Sequence, residues 1–172
     1  MFETIAYGLI STALNYLFDT AILRRSTVEI EGAPYWYEQK GGEKAIYVSA
    51  YCDGGLEALD CAKRGVKEKL VIIIDDAFDR AVEKKFKHYE GQERTFVEKM
   101  RDDTDLPHFV EGHTVFQNLK YDEDDKRAFA RGYVTLDALQ RYENERIDGV
   151  RRKVLNYHYD EMMQELDKEE AQ

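Results

Sequence analysis

Apolar and polar positions alternate in three places along the chain and recur at helical spacing between them. "EKAIYVSAYCD" (43–53) sets Ile46, Val48 and Ala50 against Tyr47, Ser49 and Tyr51, the period of a strand with one buried face. Asp53-Gly54-Gly55 comes next as a turn and a candidate helix cap. Over 56–89, Leu59, Ala62, Val66, Leu70, Ile73, Ala77 and Ala81 recur every three or four positions, which predicts a long amphipathic helix. The run Val71-Ile72-Ile73-Ile74 prefers strand locally because its residues are β-branched. The period on either side outweighs that preference. Within 90–112 a shorter helix over "ERTFVEKM" and a loop around Pro107 are expected. "HTVFQNLKY" (113–121) and "RAFARGYVTL" (127–136) predict two strands that form a hairpin across the acidic "DEDDK" (122–126). From Asp137 onward Leu139, Tyr142, Val150, Val154 and Tyr157 share one helical face. The tail "MMQELDKEEAQ" is expected to fray or to meet a partner.

These elements predict an α+β fold: a small, mostly antiparallel three-stranded sheet with long helices packed on one face, preceded by an N-terminal hydrophobic helix. The pattern divides the chain into three segments. Residues 1–25 form the hydrophobic helix. Residues 26–42, "STVEIEGAPYWYEQKGG", form a connector with Pro34, an aromatic cluster and a glycine pair. Residues 43–172 form a single α/β domain.

The opening helix raises the question of what it touches. Thr4 to Phe18 carry no charge, and Ala21, Ile22 and Leu23 extend the apolar run until Arg24 and Arg25 end it. With Asp19 included, the run approaches the roughly 20 residues that span a bilayer. Glu3 stands where a secretory signal has Lys or Arg, and no small-residue cleavage site or lipid-acceptor cysteine comes after it. Thr4, Gly8 and Thr12 lie four apart, and Ser11, Asn15 and Asp19 lie four apart beside them. Together they make one narrow stripe of small and polar side chains suited to helix–helix contact. The expectation is membrane association through residues 2–23; the alternative is burial against the chain's own domain or a sister subunit. Arg24 and Arg25 favour a cytoplasmic location for the C-terminal domain.

Composition adds limits. The chain of 172 residues is 43% hydrophobic, with two prolines, enough for one domain with a core. A net charge of −10 repels nucleic acid and anionic lipid surfaces, so no nucleic-acid partner is expected. Cys52 and Cys61 match no zinc spacing. They read as two small buried side chains or, in an oxidising compartment, as a strand-to-helix disulfide.

Candidate chemistry is sparse. His108 and His113 near Asp102, Asp103 and Asp105 have no recognised metal spacing. Asp75 and Asp79 share a helix face with Asp76 beside them, but no histidine or phosphate loop accompanies them. "DEDDK" lacks the alternation and glycine of a calcium loop, and Asp53-Gly54-Gly55 lacks the spaced glycines and lysine of a phosphate loop. Solvated helix faces, loops and turns account for the first three, and the last is a weak signal for an anion at backbone N–H groups. The cluster Tyr35, Trp36 and Tyr37 reads either as an interface or ligand platform or as the seal at the edge of a core. No catalytic residue, cofactor or metal is expected, and the protein reads as non-enzymatic.

A Pro-x-Trp ahead of a strand (Pro34, Trp36), a helix with Ala58, Ala62 and Leu70, and a late strand with Gly132, Tyr133 and Val134 stand in a familiar order. Over roughly residues 33–160 the chain resembles the small envelope lipoprotein family typified by the twenty-kilodalton lipoprotein of Helicobacter. That family includes flagellar assembly protein P. Its members carry a lipoprotein signal with an acceptor cysteine, where this chain has the hydrophobic helix. The resemblance implies a periplasmic, membrane-associated structural subunit of an oligomeric bacterial cell-envelope assembly, a disk or ring around a flagellar motor. Its partners would be copies of itself and other envelope or motor proteins. The competing expectation is a ligand-binding or regulatory module at the cytoplasmic membrane face.

Overall fold

The computed structural model describes residues 1–23, 30–39, 41–42, 44–102 and 104–170, with side chains 18–23, 85, 157 and 165–170 left aside. The Asp19 side chain, Arg24, Arg25 and Asp103, all singled out by the sequence pattern, lie outside the described residues.

The fold is α+β. In chain order come α1 (Phe2–Leu23), β1 (Ala45–Asp53), α2 (Ala58–Ala81) with a π-helical turn at Val82–Phe86, α3 (Gly91–Asp102), α4 (Leu106–His113), β2 (Val115–Asp122), β3 (Arg127–Thr135) and α5 (Leu136–Glu170). The sheet is wholly antiparallel, in the order β1-β3-β2. β3 sits in the middle because the hairpin places it beside β2 and β1 pairs along its other edge, from Ala45 opposite Thr135 to Asp53 opposite Arg127. A bulge between Phe116 and Asn118 shifts the register of β2.

Strand alternation sends Ile46, Val48 and Ala50 of β1, and Ala128, Ala130 and Val134 of β3, into the main core. α2 covers that face at close range. A Cβ on Gly65 would lie 3.1 Å from the Ala50 Cβ, and one on Gly132 would lie 3.0 Å from Val66 Cγ1. The β-branched run of α2 stays helical because its period buries Ile73 and Ile74, while Ile72 alone faces outward. Cys52 and Cys61 are joined in a disulfide, with Cα atoms 5.9 Å apart, tying the end of β1 to the first turns of α2.

α1 is where the structure departs most from expectation. It is one helix of 22 residues, but among the described residues no helix is long and apolar enough to cross a membrane. Phe2, Ile5, Ala6, Leu9, Ile10, Ala13 and Leu17 enter the same core as α2, α3 and α5. The Phe2 ring stacks on Phe96 at 4.8 Å between centroids. Each large apolar side chain so enclosed contributes about 1.5–3 kcal/mol. The apolar face of residues 2–17 is therefore covered by the chain's own helices, and α1 belongs to the domain's core instead of forming a separate segment.

Pro107 corrects the expected loop. It sits in the first turn of α4, where its missing N–H is no loss and its fixed φ suits a helix start.

The connector covers part of the second face of the sheet, around Phe129, while Tyr51 and Val115 remain exposed. Its described residues 30–39 form a strap whose Trp36 and Tyr37 close on Phe129 of β3, with Ile30 and Ala33 at the margin. Phe129 is completely buried.

Candidate functional site

Two places gather polar groups at low exposure, and a third gathers apolar groups in solvent.

The first is a recess of about 220 Å³, counting its open mouth, between α2, α3, the start of α4 and α5. Asp75 and Phe78, Met100 and Arg101, Thr104, Leu106, Glu143 and Arg146 line it. Glu143 falls four residues from both Leu139 and Ile147 on the inward face of α5, so its side chain is carried into the core and is only 2% exposed. Arg146 answers it, with Nη2 and Nε donating to Glu143 Oε2 at 2.6 and 3.0 Å. The same Nη2 donates to the Met100 carbonyl at 2.8 Å. Its guanidinium lies 5.8 Å from the Phe78 ring centre and 5.6 Å from that of Tyr142. Burial pushes the Glu143 carboxyl above its ordinary range, and Arg146 draws it part of the way back. Burial also raises Asp75, and the neighbouring Asp79 adds to the effect. Above the recess the Tyr142 hydroxyl meets Thr104 Oγ1 at 2.8 Å and accepts the Asp105 N–H at 2.9 Å.

The enclosed volume of the recess is only about 10 Å³, room for a single water molecule at most. The arrangement does not set a nucleophile beside a base and an orienting group, the constellation that acyl or phosphoryl transfer needs. The signal in the sequence was the position of Glu143 inside an apolar stripe, where a lone carboxylate implies a buried partner.

The second place is the strap face. Arg131 of β3 is 3% exposed, and its Nη1 donates to the Trp36 carbonyl. Its guanidinium lies 5.1 Å from the ring centre of Tyr47, which faces Tyr133 across the sheet at 4.9 Å. Among the described residues Arg131 Nε has no hydrogen-bond partner. Burial lowers the pKa of this guanidinium, with Tyr47 acting in the opposite sense. Arg127 repeats the theme at the end of the strand, bonding Asp53 and donating from Nη1 to the Glu31 carbonyl at 3.0 Å. Two arginines of one strand thus hold the strap by its backbone.

The residues singled out by sequence scatter. Of the α1 stripe, Thr4, Ser11 and Asn15 face solvent, whereas Thr12 is buried. Gly8 lies under Phe86, with 3.2 Å between a Cβ placed there and the ring. The stripe is therefore divided between surface and core. Of the aromatics, Tyr35 is 89% exposed while Trp36 and Tyr37 are sealed against Phe129. His113 stacks on Phe109 and its Nδ1 lies 2.9 Å from the Phe109 carbonyl. Among the described residues no group of three or more histidine, cysteine or acidic side chains is placed to hold a metal. Asp76 pairs with Arg80 at 2.9 Å and Asp79 with Arg101 at 2.7 Å.

The third place is the C-terminal part of α5. The inward face of this helix ends with Ile147, Val150 and Val154. Beyond it Leu155, Tyr159, Met162 and Met163 are exposed, at 46%, 58%, 52% and 39%.

No protein-family model, curated protein or solved structure matches the chain. The envelope-family resemblance rests on the residues that suggested it.

Proposed function

We propose that the protein is a non-enzymatic structural subunit of an oligomeric bacterial cell-envelope assembly, of the disk or ring kind that surrounds a flagellar motor. The observation that carries this reading is the exposed apolar run of α5, because solvent-facing Leu, Tyr and Met in a row mark a contact surface more than a catalytic one. The Cys52–Cys61 disulfide supports a periplasmic setting, since such bonds persist where thiols oxidise. The outward residues Thr4, Ser11 and Asn15 of α1 offer a second lateral surface. Purified protein imaged over a range of concentrations is expected to show rings, arrays or discrete oligomers; a particle that stays monomeric throughout counts against the proposal.

A second reading, a ligand-binding or regulatory module at the membrane's cytoplasmic face, rests on Arg24 and Arg25 at the end of the apolar run. Protease accessibility in spheroplasts separates the two: digestion from outside supports the envelope subunit, protection supports the module.

A further inference from the structure

We infer that the Cys52–Cys61 disulfide is a reversible thiol–disulfide switch that sets the order of the turn after β1 and of the first turn of α2. The switch is independent of the assembly role.

The bond joins one end that needs it to one that does not. On the sheet side Cys52 pairs with Ala128 and Asp53 with Arg127 in the ladder. The Arg127 guanidinium bonds the Asp53 carboxylate, and the Gly54 N–H donates to the Lys126 carbonyl at 2.8 Å. β1 is therefore fixed to its last residue without help from sulfur. The start of α2 has no comparable support. Glu57 stands at the cap position with φ of −87° and ψ of −6°, helical values instead of the extended ones of a capping residue, and its side chain caps no backbone N–H. Asp60, the acidic residue of the first turn, is paired with Lys63 at 3.5 Å. A helix start that lacks a cap frays unless something else pins it. Here the disulfide is the pin.

The surroundings leave room for the change. Asp53 to Glu57 are all exposed, Leu56 completely. A Cβ placed on Gly54 or Gly55 would meet nothing within 4 Å, so the turn stands clear of the rest of the chain at both positions. Cys52 and Cys61 are half-buried, not sealed, and accessible disulfides are the labile ones.

The reductant is a dithiol. Its thiolate attacks one sulfur of the bond, forming a mixed disulfide and releasing the other cysteine as a thiolate. The second thiol of the reductant then displaces the remaining protein sulfur. Two electrons pass to the protein, the two protons of the dithiol end on Cys52 and Cys61, and the reductant departs as a disulfide. Exchange with an oxidised dithiol reverses each step. Reduction leaves β1 in its ladder and lets the first turn of α2 open as far as the buried Ala62 and Val66 allow.

Backbone NMR of the full chain, before and after addition of dithiothreitol in native buffer, tests this. The bond should be reduced without denaturant. The helical Cα shifts of Ala58 to Lys63 should then collapse toward random-coil values, while those of β1, the rest of α2 and the strap keep their native positions. Oxidised dithiothreitol should bring the helical shifts back. The double variant Cys52→Ser with Cys61→Ser should show the collapsed shifts from the outset and ignore the reductant. Three results overturn the switch and make the bond a plain staple: reduction only in denaturant, helical shifts that survive reduction, or native shifts lost throughout the domain. None of them bears on rings or arrays, so the assembly role stands or falls separately.

Discussion

Arg131 Nη1 donates to the carbonyl of Trp36, 95 residues earlier in the chain, and so fastens the strap to the central strand. The bond is buried and charged, and Tyr47 lies against the same guanidinium. Arg131→Met removes the charge and keeps much of the bulk. The expected loss is about 1.5–3 kcal/mol in urea denaturation, the scale of a hydrogen bond to an ionised group. Limited proteolysis should then cut within 30–39 faster than in the parent protein. Unchanged protection of that segment would show that Trp36 and Tyr37 hold the strap unaided.

The phenol of Tyr37 is pushed up to about 12, first by burial and then by Tyr51 and Glu38. A group with a raised folded pKa stabilises fully below its unfolded pKa, near 10, and that contribution is lost as pH climbs through the folded value. Stability should therefore fall between pH 10 and 12, and Tyr37→Phe should make the fall shallower. Denaturation midpoints measured across that window check the claim; identical slopes in the two proteins would refute it.

Glu143 and Arg146 form an ion pair in which the carboxylate is 2% exposed. Removing one member strands a buried charge, whereas replacing both with apolar residues does not. Glu143→Ala is expected to cost about 3–5 kcal/mol. Glu143→Leu with Arg146→Met should cost far less than the two single changes together, giving a strongly non-additive double-mutant cycle. An additive cycle would mean that the pair is uncoupled.

The disulfide closes a sequence separation of nine residues. Chain-entropy reasoning puts the gain from so short a loop at about 2–3 kcal/mol. Cys52→Ala with Cys61→Ala should lower stability by that amount, and adding a reductant should shift the parent protein but not the variant.

Leu9 is completely enclosed among the helices. Leu9→Ala should cost about 2–5 kcal/mol for the transfer and cavity terms together. A change near zero would mean that α1 stands off the domain, as the apolar run alone suggested.

That last contrast marks what could be read from the sequence. β1 and α2 were readable because burial on one face leaves a period of two or of three to four, whereas β3, the central strand, is buried on both faces from Ala128 to Gly132. α1 was readable as a helix but not in its surroundings: an apolar face has the same spacing whether it meets lipid or Phe96 and its neighbours. Glu143 was marked only by its place between Leu139 and Ile147 on the inward face of α5, a position its charge disguises. The strap left no period at all. Trp36 and Tyr37 are buried by a strand that appears only much later in the chain, and no local pattern encodes such a distant partner. Pro107 misled in the opposite sense, since proline opens helices as readily as it breaks them.

The distance between strap and strand also governs the order in which the molecule can be made. On the ribosome Trp36 and Tyr37 emerge long before Phe129 and Arg131 exist to receive them, and Phe2 precedes Phe96 in the same way. Trp36 and Tyr37 must wait uncovered until β3 has been synthesised, whereas α1 packs mainly on α2, which is made well before β3. Closure of so wide a loop makes folding slow.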